Sequence, residues 1–144
     1  MTTTDISHVI DQYHKAVSAI LGGNAQPVKL MYSHREDVTL ASPFGPTILG
    51  WKKVSEGIDY HVTRFKEGKQ ISTEIIAKYV SPELVTMLEM EHSQVKVGGR
   101  EEMSLIDLRV TTTFRLEDGE WKLVSRHADP INSFNPDGPL RRGG

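Results

Sequence analysis

The chain has 144 residues, enough for one domain whose folding buries roughly two-thirds of the surface that the unfolded chain exposes. Its lack of cysteine excludes disulfides, thiolate catalysis and Cys-based zinc or iron-sulfur sites, and fits a reducing compartment. A formal net charge of −2, a pI near 6.3 and interspersed charges of both signs leave no basic field to attract nucleic acid or an anionic membrane.

From Asp5 to Leu21 the apolar residues Ile6, Val9, Ile10, Tyr13, Val17, Ile20 and Leu21 recur at three- and four-residue spacing. This predicts an amphipathic helix, capped by Thr4 or Asp5 and ended by Gly22-Gly23. The same N-terminal region lacks the basic start and continuous apolar run of a secretory signal, and no stretch is long enough to span a bilayer, so a soluble cytoplasmic protein is expected. Asn24 can cap a second, short helix with Pro27 in its first turn, stopping near Ser33. A short strand follows at Val38 to Ala41, and then Ser42-Pro43-Phe44-Gly45-Pro46 forces a rigid turn.

A third helix fits Lys52 to Lys66, with Val54, Ile58, Val62 and Phe65 as its inward stripe. Beyond it, Gln70 to Val80 and Leu84 to Val97 read as long strands separated by Ser81-Pro82-Glu83. Gly98-Gly99 then turns the chain into a strand from Arg100 to Leu116, and Asp118-Gly119 supplies the positive φ values of a tight hairpin. The final strand ends at Pro130, and the composition from Asn132 onward is that of a loose tail. Three helices and a four-stranded antiparallel meander make an α+β domain over residues 1–131, followed by a flexible tail over 132–144. A curved sheet wrapped over helices leaves a cavity at its open end.

If Leu116 faces Trp121, strict alternation puts Val110, Thr112, Phe114 and Leu116 on one face with Trp121, Leu123, Ser125, His127 and Asp129. That face is apolar near the turn and polar at the other end. The opposite face, with Arg109, Thr111, Thr113, Arg115, Lys122, Val124 and Arg126, is too mixed for a core and suits solvent or a subunit interface. His127 and Asp129, two apart on one strand, could form a dyad in which the carboxylate orients the imidazole, or could simply terminate the strand structurally. Pairing through Gly98-Gly99 sets Glu91 opposite Ile106 on the cavity side, unless a bulge intervenes and turns it outward to meet Arg109 or Arg126.

The blocks SHREDVTLASPFGPTILGW (Ser33 to Trp51) and LRVTTTFRLEDGEWKLVSRHADP (Leu108 to Pro130), with Glu91 in EMEHSQVKVGG, resemble the nuclear-transport-factor-two-like superfamily. The nearest resemblance is to its SnoaL-like, ketosteroid-isomerase-related small proteins, and it extends from the first helix to about Pro130. It implies a cone-shaped, curved antiparallel sheet wrapped over three N-terminal helices, a cystatin-like α+β barrel. The superfamily includes isomerases, cyclases, dehydratases, hydrolases and non-catalytic modules, so the fold does not choose a function. Ketosteroid isomerase needs a carboxylate base and an oxyanion hole made by a tyrosine and a protonated aspartic acid. In this chain those positions resemble Ser42, Ala16 and Thr112, so that mechanism is not expected, although Tyr13 offers a phenol one turn earlier.

The expectation is a small-molecule-binding protein, and in its catalytic version a cofactor-independent isomerase, cyclase or dehydratase. His127 would be the general acid/base, oriented by Asp129, with Glu91 as an inward carboxylate. Tyr13, Tyr32, Ser42, Phe44, Trp51, Tyr60, Phe65, Thr112 and Ser125 would line the ligand cavity. No cofactor is called for, and the six histidines have no metal-ligand spacing. The expected partners are a small organic molecule and a second copy joined through the outer sheet face, with a non-catalytic binding or assembly module as the alternative.

Overall fold

The computed structural model describes residues 5–131 together with 137, 140 and 143; apart from those three, the expected tail lies outside the described residues. Asp5 accepts a hydrogen bond from Ser7 N at 3.0 Å and caps α1 (Ile6–Leu21). Val9, Ile10, Tyr13, Val17 and Leu21 of the predicted stripe are buried, Tyr13 fully, while Ile6 and Ile20 are half-buried. α2 (Gln26–Met31) carries Pro27 in its first turn, and Asn24 Oδ1 accepts from Gln26 N at 3.1 Å.

β1 (Thr39–Ala41) and β2 (Thr47–Leu49) pair antiparallel across the Pro/Gly turn. Three residues are too few to show an alternating pattern, so the turn hides β2 in the sequence. α3 (Trp51–Arg64) ends two residues earlier than its periodicity suggests. β3 (Phe65–Val80) leaves it without a loop, through a positive φ of 57° at Glu67. β4 (Leu84–Val97) has the predicted bounds; β5 (Ser104–Glu117) and β6 (Glu120–Pro130) form the predicted hairpin, with Leu116 opposite Trp121 and positive φ at Asp118 and Gly119.

The six strands run β2-β1-β6-β5-β4-β3 in one sheet, antiparallel except where β1 lies parallel to β6. Register shifts interrupt β3 between Lys66/Lys69, Gln70/Ser72 and Ile75/Ala77. Bulges bend and twist strands, and here they let the sheet curve around α1, which packs across β3. The cone stays open because β2 and β3 are edges. On the concave side β4 alternates strictly, burying Val85, Met87, Glu89, Glu91, Ser93 and Val95. Tyr13, Ile58, Met87, Phe114 and Leu123 form the main core.

One irregularity decides what enters the cone. Thr113 pairs with Ser125 but Phe114 pairs with Leu123, leaving Val124 as an extra residue in β6. Leu123 and Val124 are both buried, and beyond them the phase inverts. Thr112 now faces Arg126, and Thr111 faces His127. Strict alternation had placed His127, Asp129 and Ser125 inside and Arg126 outside; the bulge reverses all four.

Candidate functional site

A cavity lies between the concave face of β4–β6, the three helices and the turn after β1. It holds about 80 Å³ of room for the centre of a water molecule, and about 730 Å³ of atom-free space when its open mouth is counted. One water needs only roughly 10–15 Å³ by the first measure, so a small organic molecule has room. The wall is mainly apolar, supplied by Val17, Leu21, Phe65, Ile106 and Leu108 among others. Its polar groups are Ser42, His61, Glu91, Ser93 and Arg126.

Glu91 sits opposite Leu108, two residues along from the expected Ile106, and its side chain is inside. It accepts from Arg126 Nη1 at 2.7 Å and from Nη2 at 2.9 Å, a bidentate pair. Burial alone would raise its pKa, but the charge and hydrogen bonds of Arg126, with His14 assisting, hold it below the usual carboxylate range. Burial likewise opposes the charge on Arg126, and Glu91 and Tyr13 outweigh it, so the guanidinium stays protonated. Arg126 Nη1 also donates to Tyr13 Oη at 2.6 Å, and Tyr13 Oη shares a 2.8 Å hydrogen bond with Thr112 Oγ1. Three of the five guanidinium N–H groups are thus engaged within the protein.

His61 is buried on α3 and flanks the cavity, stacked 6.2 Å from the Phe65 ring. It makes no hydrogen bond among the described residues. Burial first, and then the positive charge of Arg126, lowers its pKa, so the imidazole is neutral at pH 7. Gly45 lies against it: a Cβ there would stand 3.2 Å from Nε2. A glycine lets the turn press onto the ring.

Other expected residues divide clearly. Tyr32, Ser42, Phe44 and Phe65 do line the cavity; Tyr32 Oη donates to Thr39 O at 2.8 Å, Ser42 Oγ accepts from Phe44 N at 3.1 Å, and Phe44 packs edge-on to Phe65. Tyr13 and Thr112 lie behind Arg126 and do not reach the cavity. Burial pushes the Tyr13 phenol well above its ordinary value, which disposes against a phenolate. Trp51 stacks on His34 at 4.0 Å away from the cavity, and Tyr60 projects from α3 into solvent. Ser125 accepts from Thr39 Oγ1 at 2.8 Å, tying β6 to β1 on the outer face.

The expected His127 and Asp129 dyad faces solvent. Nε2 and Oδ2 are 3.5 Å apart and the side chains are 60% and 51% exposed, so the pair cannot act inside the cone. His61 and Arg126 were the residues missed. Two adjacent apolar residues, Leu123-Val124, within an alternating strand were the sequence sign of the bulge. For His61, the sign was its place seven residues after Val54, on the same helical face as Ile58.

Behind the cavity, Glu89 is fully buried; His14 Nε2 lies 2.7 Å from its Oε2, while Oε1 has no partner among the described residues. Among the described residues no three His, Asp or Glu side chains gather as metal ligands, and no helix is long and apolar enough to cross a membrane. The site's polar groups are thus a neutral imidazole, a guanidinium paired with a carboxylate, and the hydroxyls of Tyr32, Ser42 and Ser93 around an apolar space.

Comparison with known proteins agrees with this architecture. No curated protein sequence matches the chain. Among solved structures, a nuclear transport factor 2-like superfamily protein from Salmonella enterica serovar Typhimurium superposes with a TM-score of 0.76 at 12% identity, covering 94% of each chain. A candidate dehydratase of the same superfamily from Streptomyces avermitilis gives 0.73 at 15% identity, over 89% of this chain and 94% of its own. A ketosteroid isomerase-like protein from Erwinia carotovora atroseptica gives 0.72 at 14%, over 88% and 94%. At such identities these likenesses speak for the fold alone. A family model described as a SnoaL-like domain matches residues 6–131, from the first residue of α1 to the end of the sheet, and with the open cone already in view the chain belongs to the SnoaL-like family.

Proposed function

We propose that the protein binds a small, largely apolar organic molecule in the cone and moves one of its protons without a cofactor, as an isomerase, cyclase or dehydratase does. The observation that carries this reading is His61. It is a neutral imidazole with no protein hydrogen bond among the described residues, on the wall of an apolar cavity that also presents Arg126. A neutral imidazole accepts a proton at pH 7, and the unengaged N–H groups of Arg126 offer donors to a ligand oxygen on which negative charge develops. A candidate dehydratase and a ketosteroid isomerase-like protein share this fold, so the scaffold is one on which such chemistry can be built.

Acetophenone is a suitable probe, because its methyl protons exchange with D2O through the enol. The wild-type protein is expected to accelerate that exchange, and His61→Ala to slow it by about 10²-fold with little change in acetophenone affinity. Equal rates in the two proteins would remove His61 from this role. Binding without any acceleration by wild type would favour the non-catalytic alternative.

We also infer that two copies meet through the outer sheet face, along which Leu105 and Arg109 of β5 and His127 of β6 are exposed. Sedimentation should then show a concentration-dependent dimer, and a monomer throughout would end that reading.

A further inference from the structure

We propose that Glu91 makes the cavity selective for uncharged ligands over carboxylates, by holding Arg126 as a cation that is already neutralised. The inference rests on the small-molecule reading above and specifies the ligand class.

A buried arginine on a cavity wall ordinarily suggests an anion site. Here the guanidinium is 14% exposed and the carboxylate it grips only 2% exposed, joined by two hydrogen bonds of 2.7 and 2.9 Å. Tyr13 takes a further N–H at 2.6 Å. Among the described residues no other lysine or arginine lines the cavity, and His61 is neutral. Glu89, the second buried carboxylate on the concave face, lies behind the cavity with His14 Nε2 at 2.7 Å. On the cavity wall the positive charge of Arg126 is therefore already met by Glu91 before any ligand enters.

A ligand carboxylate beside Arg126 would become a second anion next to Glu91 in a water-poor space, with no second cation to meet it. A ketone or similar carbonyl asks only for the N–H groups that Glu91 and Tyr13 leave free. Its apolar body would lie against Val17, Leu21, Phe65, Ile106 and Leu108.

Acetophenone and benzoate test this directly, since they share a phenyl ring and carbonyl and differ in a methyl group against an anionic oxygen. Each is titrated into wild type and Glu91→Gln at pH 7.5, with binding followed by ligand-observed NMR and folding by circular dichroism. Wild type is expected to bind acetophenone at least about tenfold more tightly than benzoate. Glu91→Gln, which frees the positive charge of Arg126, should bring benzoate to parity or beyond. Benzoate binding wild type as tightly as acetophenone would overturn the proposal, as would a folded Glu91→Gln that keeps the full preference. Should that variant not fold, the wild-type comparison can still overturn the proposal, because equal affinities would contradict the selectivity it states. If neither probe binds wild type, the cavity-binding reading itself fails, an outcome distinct from a reversed preference.

Discussion

Arg126 and His127 are consecutive residues of β6, and each stands near a carboxylate, yet they occupy opposite electrostatic worlds. Arg126 is gripped by Glu91 inside the cone with both partners nearly sealed from water. His127 reaches toward Asp129 in solvent at 3.5 Å, with more than half of each side chain exposed. Water screens the outer pair and reduces its worth to little. The inner pair lives in a medium where an unmatched charge is very costly and a matched one is held in a single geometry. The two side chains are sequence neighbours; burial makes one pair a constraint on the fold and the cavity, and leaves the other a surface decoration.

The largest expected effect breaks the inner pair. Glu91→Ala or Arg126→Ala should destabilise the protein by about 3–5 kcal/mol, because each leaves a buried charge without its partner. On the outer face, His127→Ala should change stability by no more than about 0.5 kcal/mol. Urea unfolding of the three variants measures both, and equal losses would erase the distinction between the faces.

Smaller effects come from two histidines whose surroundings oppose each other. The hydrogen bond to Glu89 raises the pKa of His14 against the effect of burial. Its contribution to stability is therefore complete below the unfolded value near 6.5 and is lost as pH rises through the higher folded value. His61 has its pKa lowered by burial and by Arg126. Below about pH 6.5 the unfolded chain takes up a proton that folded His61 resists, so this group costs stability as pH falls. Urea midpoints from pH 5 to 8.5 should show the gap between wild type and His14→Gln narrowing as pH rises. The deficit of wild type relative to His61→Gln should grow on acidification. A flat difference for either variant would show that its histidine does not sense the stated neighbours.

Much of the frame was written into local sequence. Asp5 caps α1, Asp118-Gly119 turns β5 into β6 with Leu116 opposite Trp121, and β4 runs from Leu84 to Val97 as expected. These features depend on neighbours a few residues away, where dihedral preference and periodicity act directly. Likewise Tyr32, Ser42, Phe44 and Phe65 could be named as cavity residues from the order of elements and the family resemblance.

The polar chemistry of the cavity was decided elsewhere. Val124 adds one residue to β6, and with a side-chain period of two a single extra residue exchanges the faces, sending His127 out and Arg126 in. Whether that bulge forms depends on the cone having room to bury Leu123 and Val124 together, and on Glu91 and Tyr13 waiting inside for the guanidinium. Those partners come from β4 and α1, 35 and 113 residues away. Amino-acid sequence alone determined the helices, the β5–β6 hairpin and the family resemblance; tertiary packing chose which of two adjacent charged or titratable side chains would face the cavity, because strand phase is a collective property of the sheet.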